Sequence, residues 1–342
     1  MATTSIGCAV IGAGLWGAAH ASVFASHPQS RLVGVCDLDE ERARLLADRY
    51  GVPAYTRLRD LLSNPEVDAL GIATPDHAHK DPVIRAAEAG KHILVEKPLA
   101  TTVDDVAAIA AAVEATGVRL MVDFHTRYSP PHNIAKDSID KGELGDLISA
   151  YYRLNDTIAV PLELLAWSKH SSILWFLGSH VVDTLRWLLN SEVMRVYARE
   201  IRGVLESKKL DVADGYHSIL EFENGAVASV ETNWVIPRSH PNINDIKINL
   251  LGTKGMIDMD LTNHGGMRRF LSDKVDQPDL FVQPQVHGKY VGFAHAAIGD
   301  FCSRLATGDD FIITLDDGVK ATRVVCALLE SSRARSPVEL RY

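Results

Sequence analysis

Cysteines, long apolar runs and clusters of positive charge are scarce in this sequence. Only four of the 342 residues are cysteines, and no two of them form a CxxC pair. Isolated cysteines of this kind are typical of small buried apolar groups, rather than of a disulfide framework or a zinc site. No stretch approaches the ~20 apolar residues that a membrane-spanning helix needs. The sequence therefore predicts neither a disulfide-stabilised nor a membrane-embedded protein.

The charge pattern argues against polyanionic partners. The formal net charge is −9, and Lys and Arg form no dense run. Nucleic acids and anionic membranes are bound through basic patches, so we expect neither as a partner. The first residues, MATTSIGCAVIGAG, enter an apolar run without the basic start and cleavage site of a secretory signal. We expect a cytoplasmic, reduced protein.

The length and the order of apolar patterns predict two domains. A chain of 342 residues is long for a single core. Up to residue 123, short apolar runs alternate with helical patterns, which predicts a parallel sheet covered by helices on both faces. From residue 124 onward, helical patterns at about 131–141 and 172–189 are followed by segments that alternate apolar and polar residues. Those segments predict an antiparallel sheet, with Asn224-Gly225 as a hairpin turn.

A glycine-rich turn follows the first predicted strand and opens the first predicted helix. Its sequence is Gly12-Ala13-Gly14-Leu15-Trp16-Gly17. In this context the three glycines turn the chain, admit a pyrophosphate group and let the helix pack closely, while the helix N-terminus offers unpaired N–H groups. A GxGxxG motif alone often marks only a tight turn. Its position here predicts a dinucleotide site in a Rossmann domain.

An acidic residue closes the second predicted strand, twenty residues after Gly17. Asp37 can accept hydrogen bonds from the adenosine ribose hydroxyls, and it would repel a 2′-phosphate that Leu38 cannot neutralise. The cofactor is therefore predicted to be NAD rather than NADP. The alternative is that Asp37 only caps the following helix.

The turn Thr74-Pro75-Asp76-His77 follows a further predicted strand, at the edge where open α/β sheets bind ligands. Pro75 and Asp76 also fit a turn and a helix cap. The histidines of this region lack a third partner at metal-ligand spacing, so we expect no metal. Besides the glycine turn and Asp37, we expect the cofactor to contact Thr74, Pro75, His77, His79, Glu96 and Lys97.

At Glu96-Lys97-Pro98 the sequence resembles the glucose-fructose oxidoreductase/inositol dehydrogenase family, often called Gfo/Idh/MocA. The resemblance spans nearly the whole chain and is carried, in order, by GAGLWG, TPDHAH, HILVEKPLA, FHTRYSP, GSHVVD and ALLESSRARSPVEL. It implies an NAD-binding Rossmann domain over 1–123. It also implies an α+β domain over 124–342, whose open-faced, mostly antiparallel sheet serves substrate binding and assembly into a homodimer or homotetramer.

Lys97 is the first candidate for catalysis. It ends the predicted strand 92–95, so it reaches the sheet edge that carries the glycine turn. An ammonium there can stabilise negative charge on a reacting oxygen, and desolvation can lower its pKa enough for proton transfer. Lysines at strand ends are usually solvated residues without such a role. The resemblance favours the catalytic one.

His180 is the candidate acceptor for the hydroxyl proton that alcohol oxidation releases. The family commonly carries an Asp four residues before this histidine, and Phe176 stands at that position here. His180 then works alone with Lys97, or Asp183 holds its ring through an i,i+3 contact. The alternative is that His180 is a hydrogen-bonded core histidine.

The remaining candidates lie after the domain crossover and before the helix of His180. Arg127 also fits an ion pair with an acidic neighbour, and Asn155-Asp156-Thr157 also fits an Asx turn. We expect substrate contacts from Lys97, His125, Arg127, Asn155, Asp156, Trp167, Phe176 and His180.

Together these features predict an NAD(P)-dependent oxidoreductase acting on CH–OH groups. Hydride would pass between NAD(H) and a secondary alcohol or ketone of a sugar, an inositol or a related cyclic polyol, with Lys97 and His180 acting on the reacting oxygen. Two alternatives stay open. One is an NAD-dependent glycoside-cleaving or eliminating enzyme that oxidises a sugar transiently. The other is a non-enzymatic NAD(H)-binding regulator, which Phe176 in place of the acidic residue makes conceivable.

Overall fold

The computed structural model describes residues 5–262, 266–273, 275–287 and 289–342. The chain forms two compact units, each built from two segments. Unit 1 comprises the residues up to His125 together with Val282–Val319, and unit 2 comprises Thr126–Phe281 and Lys320–Tyr342. The sequence prediction assigns every residue from 124 onward to the second domain. Helical patterns within this segment indicate an apolar face, but they do not show which core that face joins.

The first six strands form one parallel sheet in unit 1. They are β1 (Ile6–Ile11), β2 (Ser30–Cys36), β3 (Ala54–Tyr55), β4 (Ala69–Ile72), β5 (His92–Glu96) and β6 (Leu120–Asp123). Their spatial order is β3-β2-β1-β4-β5-β6, and every neighbouring pair is parallel. This is the strand order of the doubly wound dinucleotide-binding fold, so the predicted Rossmann sheet is confirmed. The carboxyl ends of its strands define one edge of the sheet.

Helices connect these strands. They are α1 (Leu15–Ser26), α2 (Glu40–Tyr50), α3 (Leu58–Leu62), α4 (Lys80–Glu88) and α5 (Val103–Thr116). Asp39 caps α2 and Thr102 caps α5, because each side chain accepts a backbone N–H of the first turn. Gly51 and Gly117 end the same two helices in the left-handed conformation.

Unit 2 is built on a seven-stranded sheet. Its helices are α6 (Pro130–Asp140) and α7 (Ser179–Leu189). Its main strands are β7 (Leu147–Asp156), which lies between these helices in the chain, and then β8 (Val193–Ile201), β9 (Gly215–Phe222), β10 (Val227–Asn233), β11 (Asn244–Gly252) and β12 (Met256–Asp260). The order is β12-β11-β7-β10-β9-β8-β17, where β17 is Val338–Glu339. Only the β10–β7 pair is parallel. The predicted mostly antiparallel sheet is therefore confirmed.

The remaining elements are short hairpins and two C-terminal helices. The hairpins pair β13 (Arg269–Phe270) with β14 (Val275–Asp276) and β15 (Gln285–Val286) with β16 (Lys289–Tyr290), and the helices are α8 (Phe293–Thr307) and α9 (Leu315–Ala334). Within the described residues, no helix is both long and apolar enough to cross a membrane.

Two local predictions differ from the structure. The helical pattern 172–189 is not a single α-helix: Leu174–Gly178 forms a π-helical turn before α7 begins at Ser179. Asn155 and Asp156 lie in strand β7 rather than in an Asx turn. Leu154, Asn155 and Asp156 are all buried, so the end of this strand lacks the alternation that reveals a half-buried strand.

Candidate active site

The glycine turn between β1 and α1 has the geometry that a dinucleotide site requires. Gly12 has φ +94°, and a Cβ there would lie 2.5 Å from the Ala73 carbonyl oxygen. A Cβ on Gly17 would lie 1.7 Å from the Gly12 carbonyl oxygen, so only glycine permits this packing. A Cβ on Gly14 would meet no heavy atom of the described chain within 4 Å. Gly14 therefore leaves open space in front of the helix N-terminus, where a pyrophosphate fits.

Asp37 connects the end of β2 to this turn. Its Oδ2 accepts the Ala13 N–H at 2.7 Å, and its Oδ1 accepts the Asp39 N–H at 2.9 Å. The helix cap is Asp39, whose Oδ1 accepts the Arg42 N–H at 3.1 Å. The alternative that Asp37 merely caps α2 is therefore wrong. Leu38 is 95% exposed and brings no positive charge, so this edge fits ribose hydroxyls better than a 2′-phosphate.

The turn after β4 is held by a buried histidine. His79 is 1% exposed, and its ring nitrogens contact two backbone carbonyls: Nδ1 contacts the Pro98 oxygen at 2.7 Å and Nε2 the Thr74 oxygen at 2.9 Å. Its ring thus links the two loops that follow β4 and β5. The His77 ring is exposed and lies beside Asp76, whose Oδ1 also accepts the His77 backbone N–H at 2.6 Å.

Lys97 directly follows β5 and is buried, with 9% of its surface exposed. Its charge acts on His125, whose pKa burial lowers to about 4 with a further lowering by Lys97. The His125 ring therefore stays neutral near pH 7. The ring stacks on Trp16, with centroids 5.0 Å apart, and lies 5.8 Å from the Phe293 ring. Lys97, the first turn of α1 and the loop after β6 thus meet in unit 1.

Beneath this edge, a buried acidic cluster surrounds His20 of α1. Its Nε2 lies 3.2 Å from Oε1 of Glu96 and 3.7 Å from Oδ2 of Asp123. Burial opposes a charge on His20, but the neighbouring Asp123 and Glu96 carboxylates outweigh it and raise its pKa to about 9. The cluster therefore retains a proton at neutral pH. The sequence reasoning missed it, although carboxylates at the ends of neighbouring strands were a usable signal.

Three ligand atoms of His20, Glu96 and Asp123 lie within 4.8 Å of one another, a spacing at which a metal ion could be held. The geometry has a simpler account, because an N–H on His20 Nε2 donates to Glu96. We assign this cluster as an imidazolium that donates to Glu96 and lies beside the Asp123 carboxylate, rather than as a metal centre.

In unit 2, His180 lies in the first turn of α7 and is 7% exposed. Its Nδ1 lies 3.4 Å from Oγ1 of Thr126. Asp183 forms a buried bidentate pair with Arg127, with Nε to Oδ2 at 2.9 Å and Nη2 to Oδ1 at 2.6 Å. The Asp183 carboxylate thus binds the guanidinium, which corresponds to the alternative that Arg127 pairs with an acidic neighbour. The residue seen beside the His180 ring is Thr126.

The other predicted substrate residues divide into two groups. Trp167 and Phe176 form an edge-to-face aromatic pair, with centroids 6.2 Å apart. Asn155 is bound within the sheet, because its amide donates to Glu231 at 2.8 Å and its carbonyl oxygen accepts the Asn233 N–H at 2.8 Å. Asp156 accepts a hydrogen bond from the Asn244 side chain.

Comparison with known proteins finds two family models that match this chain. A family model described as "Oxidoreductase family, NAD-binding Rossmann fold" matches residues 6–124, and a "GFO/IDH/MocA C-terminal domain" model matches residues 132–258. The chain is 32% identical to scyllo-inositol 2-dehydrogenase (NAD(+)) of Bacillus subtilis, over 97% of this chain and 96% of that protein. It is 29% identical to levoglucosan dehydrogenase of Pseudarthrobacter phenanthrenivorans, over 97% of both chains.

Solved structures share the fold. Myo-inositol 2-dehydrogenase from Lactobacillus plantarum superposes with a TM-score of 0.86 at 21% identity, covering 99% of this chain and 100% of that one. Scyllo-inositol dehydrogenase from Lactobacillus casei, solved with NAD(H) and scyllo-inositol, gives a TM-score of 0.85 at 18% identity, covering 98% of this chain and 99% of that one.

Proposed function

Because this chain belongs to the Gfo/Idh/MocA family of NAD-binding oxidoreductases, we propose that it is an NAD-dependent dehydrogenase of a cyclic polyol or sugar. Hydride passes between the nicotinamide and a secondary alcohol or ketone of the substrate. The observation that carries this proposal is the sheet edge of unit 1, where the glycine turn bound by Asp37 lies at the same edge as the buried Lys97. The similarity to an inositol and a levoglucosan dehydrogenase supports the substrate class.

The cofactor is held by residues of unit 1. The turn from Gly12 to Gly17 receives the pyrophosphate. The Asp37 carboxylate accepts hydrogen bonds from the adenosine ribose hydroxyls. The backbone of Thr74 and Pro75 lines the nicotinamide side. His79 acts on this side through the two carbonyls that it holds, one of which belongs to Thr74. When bound, NAD supplies the hydride acceptor for alcohol oxidation.

Lys97 stabilises the oxygen at which charge develops. Its ammonium donates a hydrogen bond to the substrate hydroxyl or carbonyl oxygen, and its burial strengthens that interaction. The neutral His125 ring beside it adds no competing positive charge and offers a flat surface together with Trp16. In carbonyl reduction, the same ammonium can supply a proton to the forming alkoxide.

His180 provides the second group for the hydroxyl proton. Its Nδ1 contacts the hydroxyl of Thr126. Because a hydroxyl is uncharged, the ring can take up a proton without forming an ion pair with this neighbour. Asp183 stabilises α7 through its buried ion pair with Arg127. We therefore assign His180 to proton transfer together with Lys97, and Arg127, Asn155 and Asp156 to holding the unit 2 framework around the substrate.

Trp167 and Phe176 are proposed to contact the substrate through their rings. An aromatic surface packs against the C–H face of a pyranose or cyclitol ring, whereas a carboxylate would bind its hydroxyls. A substrate with an apolar face, such as an anhydrosugar, suits this pair as well as an inositol does.

A cofactor and substrate screen tests the proposal. NAD and NADP reduction would be followed at 340 nm with scyllo-inositol, myo-inositol, levoglucosan, free hexoses and aryl glycosides. We expect NAD reduction with at least one cyclic polyol or sugar. Glycoside cleavage without accumulation of NADH would support the eliminating alternative, and binding of NADH without turnover of any compound would support the regulator.

A further inference from the structure

Two buried histidines of unit 1 contact the residues on either side of Lys97. The chain runs from Glu96, the last residue of β5, through Lys97 to Pro98. His20 contacts the Glu96 side chain and His79 contacts the Pro98 backbone carbonyl. The residues before and after the proposed catalytic lysine are therefore each fixed by a different helix region.

The His20 ring packs against a glycine of the sheet, where any other residue would collide with it. Gly71 lies in the middle of β4, and a Cβ there would come within 2.4 Å of the His20 Nδ1. Glycine weakens a strand interior, so its presence here marks close approach of another group. His20 itself is fully buried, and Asp123 beside it is equally inaccessible. The imidazole is thus built into the core rather than placed there by chance.

The His20 ring also changes the charge that surrounds Lys97. Ionised Glu96 and Asp123 would leave two uncompensated carboxylates in the core, which is costly unless a cation accompanies them. Through space, the His20 charge reaches three other titratable groups, namely His125, His295 and Cys302. His125 faces both Asp123, at 3.9 Å, and the charge of Lys97. The imidazolium thereby offsets the negative charge of the cluster that includes Glu96, the residue directly before Lys97.

His79 contacts the chain on the other side of Lys97. Its ring bridges the loops after β4 and β5, at 2.9 and 2.7 Å from their carbonyl oxygens. Burial is the largest influence on this ring and lowers its pKa, against the opposing effect of the two carbonyls. A side chain without ring nitrogens at this position would leave both carbonyls buried without these contacts.

We propose that His20 and His79 are positioning residues for Lys97: together they fix its place at the sheet edge, and His20 in addition sets its proton affinity. This inference rests on the proposed function of Lys97. It assigns a role to the buried acidic cluster, which otherwise has no part in the reaction.

The first experiment measures the Lys97 pKa directly and needs no substrate. Lysines would be reductively methylated with ¹³C-formaldehyde, and the Lys97 resonance would be assigned by its loss in Lys97→Arg and titrated by NMR. His20→Gln keeps a donor for Glu96 but removes the positive charge. We expect the Lys97 pKa to rise by about one unit in this variant. His92→Gln is the matched control, since His92 begins the same strand β5 and should leave the Lys97 pKa unchanged.

The second experiment measures turnover and the primary isotope effect with 4-deuterated NADH, using the ketone of the best substrate from the screen. His20→Phe and His79→Leu should each lower kcat by about 100-fold and raise the isotope effect, because a misplaced Lys97 slows the chemical step. NADH affinity should stay close to that of the unaltered protein, and His20→Gln should recover part of kcat.

The outcomes separate the two proposals. If Lys97→Met keeps full activity, the proposed function of Lys97 fails irrespective of the histidines. If Lys97→Met is inactive but the Lys97 pKa is unchanged in His20→Gln, the electrostatic role of His20 is wrong. If activity falls only in proportion to the amount of folded protein and the isotope effect is unaltered, both histidines have a purely structural role. A stoichiometric metal ion that is lost in His20→Gln would also overturn the inference.

Discussion

Asp37 is the residue on which we propose that cofactor choice depends. Its carboxylate is bound on one side by backbone N–H groups of the glycine turn and of Asp39, which fixes it at the end of β2. A fixed carboxylate discriminates against a 2′-phosphate by charge and favours two ribose hydroxyls by hydrogen bonding. Cofactor preference should therefore change when this single carboxylate is removed.

We predict that Asp37→Ser lowers the kcat/KM for NAD by about tenfold or more, since each hydrogen bond to a charged group contributes about 1.5–3 kcal/mol. The ratio of kcat/KM for NAD to that for NADP should fall as well. The measurement is the ratio of kcat/KM values for the two cofactors. Asp39→Ser is the control: it alters the cap of α2 next to Asp37 and should leave the ratio intact. An unchanged ratio in Asp37→Ser would contradict the assignment.

At the scale of elements, two glycines of the turn between β1 and α1 have different roles, one in packing and one in the proposed ligand binding. Gly17 is needed for packing, because a Cβ would overlap the Gly12 carbonyl oxygen at 1.7 Å. Gly14 faces open space and has φ −78°, which any residue can adopt. The two glycines of one motif thus serve different purposes.

Gly17→Ala should destabilise the protein by several kcal/mol, with 1–3 kcal/mol typical of overpacking and more where backbone must shift. Gly14→Ala should leave the urea midpoint nearly unchanged but weaken NADH binding, because the added methyl group occupies the space proposed for the pyrophosphate. Urea unfolding and NADH fluorescence titration give the two readouts. Equal effects of both substitutions on stability would refute this division.

Helix α7 is attached to the turn before α6 by the buried Arg127–Asp183 pair. We predict that Arg127→Ala costs about 3–5 kcal/mol of stability, because it leaves the Asp183 carboxylate buried without its cation. The combined change Arg127→Met with Asp183→Leu should restore most of that loss. If Arg127 binds substrate instead, Arg127→Ala would raise KM while the unfolding free energy stays the same.

The sequence predicts local elements well and distant contacts poorly. The helical pattern at about 131–141 agrees with α6, Pro130–Asp140, to within one residue at each end. Strand β7 escapes prediction because its last residues are buried on both faces. The role of Asp37 follows from spacing along the chain. By contrast, the partners of Asp183 and His20 lie 56 and 76 residues away, and only the folded topology brings them together.

On the scale of the whole molecule, buried histidines determine how the unfolding free energy depends on pH. The folded pKa of His20 is about 9, above the ordinary value of 6.5, so its contribution is complete below pH ~6.5 and is lost as pH rises through 9. Burial lowers the pKa of His125 and His132 to about 4, so their contribution is present above pH ~6.5 and is lost as pH falls through 4. Stability from these histidines is therefore greatest near pH 6.5.

We predict that the unfolding free energy falls between pH 6.5 and 9.5, with a share on the order of 3 kcal/mol from His20. That share should be missing from the pH dependence of His20→Gln. The measurement is urea unfolding of both proteins across this pH range. The difference between their unfolding free energies at each pH isolates the His20 contribution. Parallel curves for the two proteins would show that His20 is not protonated in the native state.

Assembly belongs to the same scale and stays a prediction. The sheet of unit 2 places Ile219, Val227 and Leu251 among its exposed large apolar residues, which gives a homodimer or homotetramer a surface to bury.

The most direct test of the account is NAD reduction by Lys97→Met with the best polyol from the screen. Lys91→Met is the control, because Lys91 lies just before β5, at the opposite end of that strand, where its Nζ donates to the Val67 carbonyl. The account predicts that kcat falls by about 10²–10⁴-fold in Lys97→Met, while NADH affinity and the urea midpoint stay close to those of the Lys91→Met protein. Undiminished turnover in Lys97→Met would contradict it.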